Sequence, residues 1–161
     1  MWQELLAVLQ KITANYQQLL ALSQKKRAVL VMVKLDALEA IVQQEQSLAA
    51  AIQQSETKRQ AILHELARSD KGIRPDTKLR ELYAHCPAPE IAGQLQQLHN
   101  DLENVIQAVQ EARDNNQILI NSALSAVNYR LNQLGSSAVE PTYGAAGQEK
   151  VSHQKKFDFR A

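Results

Sequence analysis

The chain is poor in the residues that turns and strands require. Of 161 residues, five are glycine and four proline, and aromatic side chains make up 4%. Strands favour β-branched and aromatic residues, and no Val/Ile-rich run of strand length lies between turn residues. The best candidate, Ala28–Val33, sits inside a helical pattern. A β-sandwich, a barrel or a doubly wound α/β fold is therefore excluded. The single cysteine, Cys86, rules out a disulfide framework within the chain and fits a reducing compartment. The longest unbroken apolar stretch has six residues, against the ~20 that a membrane-spanning helix needs, so no membrane insertion is expected. The start, Met1-Trp2-Gln3-Glu4, has neither the basic region nor the apolar region of a signal peptide, and a cytoplasmic protein is expected. Charge of one sign is lacking too. Eighteen Lys+Arg against 17 Asp+Glu leave a net charge of +1, which supplies no broad basic face for nucleic acid. The nearest thing to one is Lys25-Lys26-Arg27.

What is abundant is alanine (22), leucine (21) and glutamine (20), all good helix formers. The pattern predicts an all-α fold, an antiparallel helical bundle or coiled-coil-like hairpin of long helices with a short extra helix and a C-terminal tail. Leu5, Leu9, Ile12, Tyr16 and Leu19 recur at 4-3-4-3 spacing and predict a first helix over 3–33. Ser23 and Lys26 then interrupt the stripe before Leu30 and Val33 resume it, so a strict coiled coil is not expected. Asp36 is placed to cap a second helix over 37–68, whose stripe is Leu38, Ile41, Leu48, Ile52, Ile62 and Leu66, broken by Glu45, Ser55 and Arg59. No Gly or Pro separates the two helices. One helix through residue 68 would be about 100 Å long with no partner for its stripe, which favours a hairpin turning at Lys34–Asp36. In that hairpin Lys26 and Glu45 come near each other and could pair.

Gly72 is available as a left-handed cap ending the second helix, with Pro75 after it. A short helix is expected over 77–85, with Leu79, Leu82 and Tyr83 facing inward. The longest pattern covers 88–134, about 70 Å if straight, opened by Pro87-Ala88-Pro89 and ended by Gly135. Its stripe is Ile91, Leu95, Leu98, Leu102, Val105 and Val109. After the polar run Asp114-Asn115-Asn116-Gln117 it shifts phase to Ile120, Leu124, Val127, Leu131 and Leu134. The expected organisation is a helical domain over 1–134 and a flexible tail over 135–161, with scattered apolar residues at Val139, Tyr143, Val151, Phe157 and Phe159.

Catalytic chemistry finds no constellation. His64-Glu65 opens like a zinc-protease motif, but Arg68 stands where the second histidine belongs. His85-Cys86 is an adjacent pair with no second ligand pair, and neighbours in sequence seldom aim at each other as nucleophile and base. His99 has Gln96, not Glu, three residues before it, so the Glu-x-x-His of a di-iron bundle is missing. There is no Gly-rich phosphate loop. No metal, no cofactor and no enzymatic activity are expected. The shifted stripe offers a different chemistry: beside the small Ala123 and Ala126, it is either core or a surface that receives a partner's helix.

At this point the chain resembles the FlgN family of flagellar export chaperones over most of its length. Lys34-Leu35-Asp36-Ala37-Leu38-Glu39-Ala40 resembles the family's turn into helix two, with Leu35 where a glycine is common. Asp114–Asn121 resembles its Asn-rich stretch, followed by an apolar strip ending at Leu131-Asn132-Gln133-Leu134. Thr142–Gly147 and Phe157–Ala161 resemble its tail. The resemblance implies a cytoplasmic chaperone that binds the C-terminal helical segments of hook–filament junction proteins. It would keep them unassembled and deliver them to the flagellar type III export gate. By position, Ile120, Leu124, Val127, Leu131 and Leu134 would cover the client helix, and Tyr129 or Tyr143 would engage the gate. The competing expectation is a structural helical adaptor or oligomerisation module without a release cycle; a homodimer is compatible with either.

Overall fold

A computed structural model describes residues 1–136. Its element order is α1 (Trp2–Val31), α2 (Leu35–Ser69), a 3-10 turn η1 (Glu81–His85) and α3 (Pro89–Ser136). The fold is all-α, and no strand occurs among the described residues. The chain divides into two compact units, the first Met1–Gln117 and the second beginning at Ile118. The tail expected from residue 135 lies, beyond Ser136, outside the described residues.

The first unit is built around the antiparallel pair α1 and α2. Their common core is Leu5, Leu6 and Leu9 of α1 against Leu63 and Leu66 of α2, joined by Ile73, Leu82 and Leu95. Leu5, Leu9, Ile12, Leu63, Leu82 and Leu95 are fully buried; at roughly 1.5–3 kcal/mol each, they are a major source of its stability. Leu63, which the stripe reading passed over, is as buried as Leu66. Tyr16 and Leu19 are only half-buried. The breaks in the stripes are where polar groups meet. Lys26 Nζ lies 2.7 Å from Glu45 Oε2, both largely buried, as the hairpin register predicted. Ser55 is buried with its hydroxyl donating to the Ala51 carbonyl at 2.9 Å.

The turn between α1 and α2 differs from the expected one. α1 ends at Val31, and the turn is 32–34 rather than 34–36. Lys34, not Asp36, occupies the N-cap of α2 and makes no side-chain cap bond; Asp36 lies in the first turn, where its charge favours the helix dipole. The Val33 N–H donates to the Leu30 carbonyl and the Lys34 N–H to the Val29 carbonyl, both at 3.2 Å. These are the paired bonds of a Schellman ending, whose middle residue must be left-handed. Glycine normally takes that place. Here it is Val33, with φ of 54°.

α2 also ends otherwise than expected. Its C-cap is Asp70 in an extended conformation, so Gly72 is not a left-handed cap. Gly72 lies close under the His85 ring: a Cβ there would lie 2.5 Å from it, and the ring would have to shift. Its N–H donates to Asp70 Oδ1 at 2.8 Å. The short helix expected over 77–85 is only the 3-10 turn 81–85, although Leu82 is buried and Leu79 and Tyr83 pack on the core as anticipated. α3 starts at Pro89, a residue suited to a first helical position. It continues through Gly135, which therefore does not end it. The polar run at 114–117 does not simply face solvent: Asn116 is buried, and its Nδ2 donates to the Ser23 carbonyl at 2.8 Å. The interruption on α1 and the interruption on α3 thus answer each other.

Candidate functional site

Of the residues that invited a catalytic reading, His85, Cys86 and His99 are engaged structurally. His85 Nδ1 lies 2.9 Å from Asp70 Oδ2. The Asp70 carboxyl is held below the usual aspartate value, first by the Gly72 N–H and then by the His85 ring. The Cys86 thiol donates to the Leu82 carbonyl at 3.4 Å, and burial pushes its pKa up, away from a reactive thiolate. Cys86 fills space at the edge of the core. Tyr83 OH hydrogen-bonds His99 Nδ1, and His99 Nε2 reaches Glu103 Oε1 at 3.2 Å. The two sets tie the 70–88 segment to the end of α2 and to α3. Burial raises the Tyr83 phenol. A cleft of about 900 Å³ beside His99 is lined by Arg59, His64, Lys78, Arg80 and Glu103, among others. Its charges are of both signs, and Arg59 is held by Glu56 at 2.8 Å. No group of three potential metal ligands occurs among the described residues. No described helix is long and apolar enough to cross a membrane.

The second unit presents a different surface. From Asn121 to Gly135 every residue of α3 is exposed. Leu124 is 57% exposed, Val127 54%, Leu131 56% and Leu134 68%; Ile120, at the start of the strip, is half-buried. At ~100° per residue, these five side chains share one face of the helix, in an arc of about 80°. Tyr129 and Ile118, also exposed, stand on the opposite face. The Tyr129 hydroxyl accepts a hydrogen bond from Gln133 Nε2 at 2.9 Å. Tyr143 lies outside the described residues.

The helix exists here without core packing because its residues favour it. Leu, Ala, Gln and Arg supply propensity, and Ser122 returns its hydroxyl to the Ile118 carbonyl at 2.9 Å. Residues 117–136 carry a single charge, Arg130. The segment's surface is therefore made of apolar side chains, amides and hydroxyls, with almost no charge. Exposed aliphatic residues at i, i+3, i+4 spacing on a helix can bury themselves only against another apolar face.

A family model described as FlgN protein matches residues 1–150. No curated protein and no solved structure matches the chain.

Proposed function

The chain belongs to the FlgN family of flagellar type III export chaperones, and on that premise we propose that the exposed strip of α3 is where it holds its clients. The proposed clients are hook–filament junction proteins, held in the cytoplasm by their C-terminal helical segments and delivered unassembled to the export gate. Leu124, Val127, Leu131 and Leu134, with Ile120 at the inner end, cover the client's apolar face. What supports this reading is the exposure of the strip, four aliphatic side chains on one helical face, each more than half accessible.

The mechanism is coverage followed by release. A client segment destined for an assembled neighbour carries an apolar face that would otherwise aggregate. Half-burial of five aliphatic side chains yields on the order of 5 kcal/mol before ordering costs, an affinity that a chaperone can reverse. Tyr129, on the opposite face, remains available for the gate while the strip is occupied.

Isothermal titration of the full chain with the C-terminal helical segment of a junction protein tests the reading. Binding near 1:1 is expected, weakened at least about tenfold by Leu124→Asp, with the far-ultraviolet helical signal unchanged. Leu131→Asp serves as the second probe. Absence of heat, together with a tight homo-oligomer that either substitution dissolves, would replace the chaperone by a structural adaptor.

A further inference from the structure

The turn between α1 and α2 carries two features that the fold itself does not explain. The first is exposure: Val31 is 66%, Met32 63% and Val33 73% accessible, three consecutive aliphatic side chains at the end of a helical hairpin. The second is strain. Val33 occupies the left-handed position of the Schellman ending with φ of 54°, a conformation costly for a β-branched residue and free of steric cost for glycine. Its side chain gains little burial in return. Strain kept at an exposed apolar residue points to a contact outside the fold.

The charges around the turn define that contact. The apolar run Ala28–Val33 is flanked by Lys25-Lys26-Arg27 on one side and Lys34 on the other, and 25–34 contains no acidic residue. Lys26 is taken up by Glu45, which leaves Lys25, Arg27 and Lys34 exposed. The nearest exposed acids, Asp36 and Glu39, follow on α2 and leave cations in excess. Val31, Met32 and Val33 form one small exposed apolar surface with exposed cations close by in the chain. They are enough to dip into the headgroup region of a bilayer while long basic side chains reach its phosphates.

We propose that the Val31-Met32-Val33 turn, with Lys25, Arg27 and Lys34 around it, is a peripheral docking site for an anionic lipid surface. The site is independent of the client-binding strip and does not cross the membrane.

Co-sedimentation of the full chain with phosphatidylcholine vesicles, with and without about 30% phosphatidylglycerol, tests it. Partitioning onto the anionic vesicles is expected, with little onto pure phosphatidylcholine and a loss at high salt. Val31→Asp combined with Met32→Asp lowers it at least about tenfold. Val33→Gly separates docking from folding: it raises the melting temperature by relieving strain and still lowers partitioning severalfold. The proposal is overturned if the chain stays in the supernatant with anionic vesicles. It is equally overturned if Val33→Gly, folded and more stable, partitions as well as the parent. Binding to soluble poly-glutamate but not to vesicles would reassign the site to an acidic protein.

Discussion

At the residue scale, single polar side chains fix how neighbouring segments meet. Asp70 is the clearest case: its carboxylate accepts the Gly72 N–H at 2.8 Å and faces His85 at 2.9 Å, and both interactions favour its ionised form. A carboxylate whose folded pKa lies below its unfolded value adds stability above the unfolded value and loses it as pH falls through the folded one. Asp70→Asn should therefore melt below the parent at about pH 6, and the gap should close below the ordinary 3.8 of an aspartate. Melting curves across that range test this; a gap that persists in acid would assign the cost to lost shape and not to charge. Asn116 is a second residue of this kind. Its Nδ2 is bonded to the Ser23 carbonyl while its Oδ1 is buried without a partner. That bond gives a buried polar group a directional reason to stay in register with α1. Read from the sequence, Ser23 and Asn116 were two separate interruptions, because nothing in the chain order says that residues 93 positions apart meet.

At the scale of the element, α3 is one helix with two kinds of apolar stripe. In the first unit its side chains are core: Leu95 has no exposed surface and packs with Leu5, Leu9 and Leu63. In the second unit the stripe is exposed. The same substitution thus has different consequences along one helix. Leu95→Ala should cost about 3 kcal/mol, read by chemical denaturation, whereas Leu124→Asp should change stability by no more than about 0.5 kcal/mol. A large loss at Leu124 would make the strip part of a core and remove the basis of the client reading. The stripe of α3 was legible as a stripe, and its change of phase after Asn116 was legible too. Periodicity could not say which half is covered, since an amphipathic pattern records that a face is apolar and not what lies against it. The α1–α2 turn was misplaced by two residues for a related reason: glycine is the usual sign of a Schellman ending, and the chain uses valine.

At the scale of the whole molecule, the division after Gln117 separates a packed unit from one whose described helix has little core of its own. Hydrogen exchange should reflect it. Amides of α3 around Leu95–Val109 should exchange only with opening of the core, while those of 121–134 exchange by local fraying of the helix. A bound client helix should slow the second set and leave the first unchanged; uniform protection along α3 without client would show that the exposed segment is already covered. Composition and period alone settled that this is an all-α chain of long helices. They suffice because helix propensity and a 3.6-residue apolar repeat are local properties of consecutive residues. Membership of the chaperone family was likewise legible, in the order of several weak motifs. Three things were settled by the tertiary structure: that Leu63 joins the core, that Asn116 finds Ser23, and that valine takes the left-handed position at the hairpin turn. The first two depend on which distant surfaces come together, a property of the packed chain and not of any stretch of it; the third marks where the hairpin closes, a place that no glycine signals in the sequence.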